Sequence, residues 1–235
     1  MDVTFRTHVG CVRKINEDSV LVRNRLFVVA DGMGGHRAGE VASDLAVNTL
    51  AAVCQKRADL GVLEKAVLQA NGAILLRAQG SDACKGMGTT LTALWAGQRH
   101  AFIAHVGDSR AYRLRSGVFT QLTQDHSIVA ELMRKGILTP DEAKRHPYRN
   151  VITRALGTNA NVQVDTLELD RRKGDMYLLC SDGLTGMVED AKMLTCLQTM
   201  ALDQAADELL KSALDAGGTD NISFILIRDD GRMRE

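Results

Sequence analysis

Short segments in which nearly every residue is apolar recur along the chain, each flanked by turn-forming residues. They lie at residues 26–30, 89–96, 101–106, 176–180 and 221–228. Segments this short, with β-branched and aromatic residues among them, predict buried β-strands. Residues 110–115 and 118–122 alternate around Ser116-Gly117 and predict a β-hairpin.

Apolar residues recur at helical spacing in four other segments. They predict helices at residues 40–55, 62–77, 189–199 and 203–215. Helices therefore come in consecutive pairs and strands in hairpin-like groups. Because strict β-α-β alternation is absent, a parallel doubly wound sheet is not favoured. Helix pairs that cover one sheet, or two stacked sheets, fit the pattern better.

Residues 124–157 have a different pattern. Asp125 or Ser127 is suited to cap a helix that stops at Gly136. Residues 139–142, Thr-Pro-Asp-Glu, are typical of a second helix start: a capping residue, a proline and then acids. We interpret this stretch as a helical insertion or flap on the main body.

The composition of the 235 residues is that of an ordinary globular protein, with 45% hydrophobic and 25% charged residues. Lys+Arg and Asp+Glu both number 29, so the formal net charge is zero. Without a net positive charge there is no general attraction to nucleic acid or to an anionic membrane, and we expect neither as a partner. No apolar run reaches the roughly 20 residues that span a bilayer.

The five cysteines form no C-x-x-C pair. Their odd number argues against a disulfide framework, and their spacing argues against a zinc cluster. The first residues lack the basic and apolar segments of a secretion signal. These features predict reduced thiols and a cytoplasmic location.

Aspartates stand at the ends of the predicted strands. Asp31 and Asp182 follow apolar runs, Asp108 follows a third run after Gly107, and Asp220 precedes the last one. A single Asp-Gly pair usually only forms a turn. Four aspartates at strand ends predict instead a cluster on one rim of a sheet, suited to a hard cation such as Mg²⁺, Mn²⁺ or Ca²⁺. The spacing of an EF-hand is absent, so calcium sensing is not favoured.

Three further features carry candidate chemistry. Residues 31–36, Asp-Gly-Met-Gly-Gly-His, form a glycine-rich turn before a helix, where phosphate is readily bound, and His36 is either an acid catalyst or a surface residue. Arginine binds phosphate through two parallel hydrogen bonds, which makes Arg13 a candidate, but a solvated charge run is the preferred interpretation of its hexapeptide taken alone. Ser109 lies in a near match to G-x-S-x-G, but that elbow requires a helix directly afterwards, and a strand is predicted. We therefore interpret Ser109 as structural.

Taken together, these segments resemble the metal-dependent serine/threonine protein phosphatases of the 2C type, particularly the bacterial stand-alone catalytic domains. Eight segments match in order and span residues 13–223. They are Arg13 with Asn16-Glu17-Asp18; residues 29–36 with Gly39-Glu40; residues 87–90; residues 105–110; residues 122–127; residues 150–157; residues 181–184; and residues 220–223.

The resemblance implies an α+β fold of four layers, an α-β-β-α sandwich in which helix pairs flank two antiparallel sheets, with the flap at 124–157. It implies one catalytic domain over residues 1–235. It also implies hydrolysis of phosphoserine and phosphothreonine in proteins by a hydroxide that bridges two Mn²⁺ or Mg²⁺ ions. The partners would be phosphorylated proteins, with a serine/threonine kinase or its substrates among them, in a signalling role.

Site residues are carried over from the resemblance position by position. Asp31 would bridge the two ions and the Gly32 carbonyl would contact one of them. The remaining implied metal ligands are Asp182 and Asp220, Glu17 and Asp18 through waters, and Asp108 with Asp182 for a third ion as in bacterial relatives. Arg13 would bind the phosphate and His36 would protonate the leaving alkoxide. The turn that carries His36 is longer here than the Asp-Gly-His turn of animal relatives, which bears on its position over the leaving group.

Two other functions compete with an active phosphatase. One is a catalytically silent, metal-binding regulatory module on the same fold. The complete set of aspartates, together with Arg13, argues against it. The other is a serine esterase that uses Ser109, which would be active without metal.

Overall fold

The computed structural model of the chain describes residues 1–34 and 38–231. Within these ranges the strands are β1 (Asp2–His8), β2 (Asp18–Arg23), β3 (Leu26–Met33), β4 (Gly88–Thr89), β5 (Leu91–Ala96), β6 (His100–Val106), β7 (Arg110–Arg115), β8 (Val118–Gln121), β9 (Asp165–Asp170), β10 (Met176–Cys180) and β11 (Ile222–Arg228). The helices are α1 (Gly39–Val53), α2 (Leu60–Gln79), α3 (Ile128–Arg134), α4 (Pro140–Arg145), α5 (Asp182–Thr185), α6 (Asp190–Thr199) and α7 (Leu202–Asp215).

The strands form two antiparallel sheets. One has the order β1-β11-β10-β7-β8, and the other has the order β2-β3-β5-β6-β9 with β4 added beside β3. Helices α1 and α2 pack on the sheet that contains β2, β3, β5, β6 and β9. Helices α6 and α7 pack on the other sheet. The predicted α+β sandwich of two antiparallel sheets flanked by helix pairs is confirmed.

The apolar strands are continuous because both of their faces are buried. On β3, Leu26 and Val28 face the α1–α2 pair, whereas Phe27 and Val29 face the other sheet. On β10, the side chain of Tyr177 likewise enters the layer between the sheets. Side chains alternate along a strand, so a strand with helices on one face and a sheet on the other needs apolar residues at every position.

The flap folds as two short helices. Ser127 caps α3, with its Oγ accepting a hydrogen bond from the Ala130 amide at 3.3 Å. Thr139 and Glu142 form a reciprocal capping box at the start of α4. Both helix starts were predicted. Of the two candidate caps for the first helix, Asp125 and Ser127, the structure selects Ser127. Asp125 instead binds Arg110 on β7 through both carboxylate oxygens.

Three strands were not predicted from the sequence pattern. They are β1, β2 and β9, which lie at edges of the two sheets and whose residues are largely half-buried or exposed. The single strand predicted at 89–96 is divided, because β4 pairs with the end of β3 while β5 pairs with its beginning. None of the helices in the described ranges combines the length and hydropathy needed to cross a bilayer.

Candidate active site

The predicted metal aspartates lie at one end of both sheets. Asp18 begins β2 and sits opposite Asp31 in the β2–β3 register. The other three lie directly beyond strand ends of the two sheets: Asp108 between β6 and β7, Asp182 after β10 and Asp220 before β11. Antiparallel pairing sets the end of β3 beside the beginning of β2, and the end of β10 beside the beginnings of β7 and β11. The chain itself joins the end of β6 in one sheet to the beginning of β7 in the other. We call this end of the sandwich the aspartate rim.

Asp31 stands at the electrostatic centre of the aspartate rim. Removal of its carboxyl group from solvent raises its pKa well above the usual range, and the charges of Asp18, Asp182 and Asp108 add to the effect. Its carboxyl group lies close enough to that of Asp182 for each to act on the pKa of the other. The pKa of Asp182 is raised, chiefly by burial and then by the charge of Asp220.

The same causes act on the two flanking aspartates. Burial raises the pKa of Asp18 to about 7, against the hydrogen bonds of Ser223 and Ser181 that favour its ionised form. Burial, followed by repulsion from Asp182, raises the pKa of Asp108 to about 7. Like charges held together out of water are therefore the main electrostatic feature of the aspartate rim.

One carboxylate oxygen of the aspartate rim is buried without a hydrogen bond from the described residues. Asp18 Oδ2 accepts a hydrogen bond from Ser181 Oγ at 2.9 Å, but its buried Oδ1 has no hydrogen-bond partner among the residues that the structure describes. A buried polar atom without a partner is costly unless a ligand satisfies it. The side chains of the aspartate rim offer carboxylate oxygens as metal ligands, and oxygen is the ligand atom that Mg²⁺ and Mn²⁺ prefer. The residues present therefore fit a divalent cation.

The cluster is not a closed cage. Within residues 1–34 and 38–231, no three carboxylate, histidine or cysteine side chains surround a single point tightly enough to hold an ion by themselves. This is consistent with coordination that includes backbone carbonyls and waters, as hard cations commonly have.

Gly32 lies where the chain packs most closely at the aspartate rim. Its amide donates to the Glu17 carbonyl at 3.1 Å. A Cβ at this position would overlap the carbonyl oxygens of Gly39 and Glu17. Only glycine therefore lets the end of β3 pass between the start of α1 and the chain before β2.

Glu17 is turned towards the start of α1 rather than into the centre of the cluster. Its carboxylate lies against the Gly39 backbone, and its pKa is raised by burial and then by the neighbouring charge of Glu40. Its position beside the aspartate rim suits contact through a water better than direct entry.

Arg13 reaches the aspartate rim from the loop between β1 and β2. Its Nη2 forms an ion pair with Asp220 Oδ2 at 2.7 Å, and this hydrogen bond raises the pKa of the guanidinium. The side chain is 49% exposed, so it faces both the carboxylates and the solvent. His36, the predicted acid, lies outside the described residues.

Ser109 is buried, and its hydroxyl is hydrogen bonded to Thr90 Oγ1 at 2.8 Å. The next residue begins β7, so the strand-to-helix turn of a serine hydrolase is absent here. The structural interpretation of Ser109 is confirmed, and the serine esterase is not supported.

Several residues that shape the aspartate rim were not singled out from the sequence. Thr90 Oγ1 accepts from the Asp31 amide at 3.0 Å, and Ser181 Oγ holds Asp18. Their signal in the sequence was a polar residue next to an end of an apolar strand: Thr90 before β5 and Ser181 after β10. Arg110 was also missed, although its bidentate pair with Asp125 ties the start of the flap to β7 next to Asp108.

The rings of His105 and His126 lie between the aspartate rim and the flap, with centroids 4.8 Å apart and planes tilted by 35°. His126 Nδ1 accepts a hydrogen bond from the Gly107 amide at 3.0 Å, and its Nε2 faces Asp165 at 3.1 Å. His105 is buried beside it, which lowers its pKa to about 4. Neutral His105 donates from Nε2 to the Gln124 carbonyl, so Nδ1 accepts from Thr92.

Comparison with known proteins decides the family. The sequence model of the family described as Protein phosphatase 2C matches residues 14–216. The chain belongs to the protein phosphatase 2C family. A serine/threonine phosphatase stp of Listeria innocua is 41% identical over 240 residues, which cover 97% of this chain and 95% of that protein. The serine/threonine protein phosphatase PstP of Mycobacterium tuberculosis is 44% identical over 225 residues, covering 94% of this chain but 43% of PstP.

Solved structures of the family agree with this assignment. The M. tuberculosis phosphatase PstP/Ppp superposes with a TM-score of 0.91 at 42% identity, over 96% of this chain and 97% of that one. The PstP catalytic domain in complex with two manganese ions superposes with a TM-score of 0.89 at 40% identity, over 96% of both chains. The chain is therefore a protein phosphatase of the serine/threonine class in a metal-dependent family, rather than a catalytically silent module.

Proposed function

We propose that the aspartate rim holds two divalent cations, Mn²⁺ or Mg²⁺, and that hydrolysis of phosphoserine and phosphothreonine takes place there. The observation that carries the proposal is the group of like-charged, buried carboxyl groups around Asp31, with Asp18 Oδ1 left without a partner. Bound cations would relieve the repulsion, and a water coordinated to one of them would supply the contact that Asp18 Oδ1 lacks. Asp31, the Gly32 carbonyl, Asp182 and Asp220 would bind directly, and Glu17 and Asp18 through waters. Asp108 with Asp182 would hold a third ion.

Bound cations of this kind supply a hydroxide nucleophile from water at neutral pH and neutralise the phosphoryl oxygens. Arg13 binds the phosphate of the substrate. Its guanidinium already lies beside Asp220, and its exposed half faces the solvent from which the phosphate arrives. The coplanar N–H groups of the Arg13 guanidinium donate to two phosphoryl oxygens and stabilise the charge that develops on them.

His36 is proposed to protonate the leaving serine or threonine oxygen. An alkoxide leaves poorly without a proton, whereas nitrophenolate leaves unaided. We expect His36→Ala to lower kcat/KM for a phosphoserine peptide by about a hundredfold and to change p-nitrophenyl phosphate hydrolysis little. Steady-state rates on both substrates check this. Equal losses on the two substrates would remove His36 from the role of acid.

Residues 1–235 are proposed to act as one catalytic domain in the cytoplasm, in bacterial signalling. The substrates would be phosphorylated proteins, and a serine/threonine kinase that is itself phosphorylated is a suitable partner. The zero formal charge supports the absence of nucleic acid among the partners.

The proposal is tested by phosphate release from a phosphothreonine peptide and from p-nitrophenyl phosphate. We expect activity with Mn²⁺ or Mg²⁺, complete loss in EDTA, and recovery when metal is restored. Ser109→Ala serves as the control and should remain metal-dependent and active. EDTA-resistant activity that a serine-directed reagent blocks would favour the esterase. No release, with cation binding shown by calorimetry, would favour the silent module.

A further inference from the structure

Asn221 connects the beginning of β11 to the loop that carries Arg13. Its Oδ1 accepts a hydrogen bond from the Glu17 amide at 2.8 Å, and its Nδ2 donates to the carbonyls of Val9 and Ile15, both at 2.9 Å. One side chain thus holds three points of residues 9–17, which we call the Arg13 loop. Asn221 is 5% exposed, so these bonds are shielded from water.

The rest of the Arg13 loop is anchored at its ends and open in its middle. The Cys11 amide donates to the Gly218 carbonyl at 2.7 Å, and Gly10 adopts a φ of +83° where a Cβ would overlap the Asp220 carbonyl. The middle, in contrast, points outwards: Val12 is 65% exposed and Lys14 is exposed. Arg13 therefore lies between two attachments that depend on residues 218–221.

We propose that Asn221 is a positioning residue that holds the Arg13 loop in the conformation that binds phosphate. The inference rests on the proposed role of Arg13. A guanidinium on a free loop loses backbone and side-chain entropy when it binds an anion, whereas a guanidinium on a fixed loop has already lost it. The buried side chain of Asn221 makes its three hydrogen bonds to the backbone of the Arg13 loop, so it would act on phosphate binding through the loop.

Limited trypsin digestion in EDTA tests the loop directly, because trypsin cleaves after Arg13 and Lys14. Cleavage there requires local opening of the loop. We expect Asn221→Ala to accelerate cleavage at these two bonds by about tenfold, since the three hydrogen bonds that oppose opening are gone. Mass spectrometry identifies the bonds.

Asn71→Ala is the matched control. Asn71 is a buried asparagine that also joins backbone groups, accepting from the Gly157 amide and donating to the Asn159 carbonyl. Its loss destabilises the protein without touching the Arg13 loop, so cleavage after Arg13 and Lys14 should not be selectively accelerated. If Asn221→Ala does not fold, Asn221→Ser undergoes the same digestion, because its short hydroxyl reaches fewer of the three points.

Inhibition by inorganic phosphate at saturating Mn²⁺ tests the link to Arg13. We expect Arg13→Ala and Asn221→Ala each to raise the inhibition constant by roughly tenfold, and the double variant to lose little more than either one. The positioning role would be overturned if the increases in the inhibition constant multiplied in the double variant. It would also be overturned if Asn221→Ala left the rate of trypsin cleavage after Arg13 and Lys14 unchanged. Unchanged phosphate inhibition in Arg13→Ala alone would instead overturn the proposed role of Arg13, whatever the digestion shows.

Discussion

Replacing Asp31 by asparagine is expected to lower metal-dependent phosphatase activity by about a thousandfold, because cation binding and charge neutralisation together supply several kcal/mol. Asp31 faces Asp18 across β2–β3, and the charges of both Asp18 and Asp182 raise its pKa, so it interacts with both halves of the aspartate rim. Phosphate release from a phosphothreonine peptide over a range of Mn²⁺ concentrations measures the loss.

The Asp31→Asn variant should nevertheless fold. Asparagine has the shape of aspartate and removes a charge that its neighbours repel, so the metal-free melting temperature should not fall. The rise in melting temperature on adding Mn²⁺ should shrink, because that rise reports binding to the folded state. Asp44→Asn, on the exposed face of α1, is the matched control and should retain both activity and the Mn²⁺ effect. Activity of Asp31→Asn within tenfold of the wild type would contradict the central position of Asp31.

The largest loss of stability is expected at the opposite end of the sandwich, from Arg171→Met. Arg171 Nε and Nη2 bind both oxygens of Asp229 at 2.8 and 2.9 Å, and the two side chains are only 4% and 1% exposed. Methionine fills the space of the arginine stem but leaves the Asp229 carboxylate buried without its cation. This costs about 3–5 kcal/mol, or a fall of about 10 °C in melting temperature.

Activity at 25 °C should survive Arg171→Met. Asp229 follows the last residue of β11, whereas Asp220 precedes the first, so about 20 Å of strand separates the pair from the aspartate rim. Lys192→Met breaks the exposed ion pair with Glu208 and is the matched control, which should leave the melting temperature nearly unchanged. An equal effect of the two substitutions would show that burial of the Arg171–Asp229 pair does not determine its contribution.

Interactions between residues close in sequence explain why some strands and helices were predicted from the sequence. A strand such as β10, buried on both faces, has apolar residues throughout, and a helix start such as Thr139 carries its own capping partner three residues later. The edge strands β1, β2 and β9 were missed because nearly all of their residues are half-buried or exposed. The pairing of β1 with β11 and of β9 with β6 also depends on strands distant in sequence.

For the aspartate rim, the sequence indicated which residue types stand at strand ends and placed them in motifs of a known phosphatase family. It did not indicate how Asp31 meets Asp18 and Asp182, which depends on the register of β2 with β3 and on the packing of one sheet against the other. Nor did it assign a role to Asn221.

The sequence by itself determined the helices, the buried strands, the carboxylates and the family. Each of these depends on neighbouring residues or on motifs within one segment. The tertiary structure alone decided that the carboxylates converge and that the loop bearing Arg13 is held at Asn221, whose partner Glu17 lies 204 residues away. Contacts between residues so far apart leave no periodicity in the chain, because they form only when separate strands are brought to the same end of a sandwich.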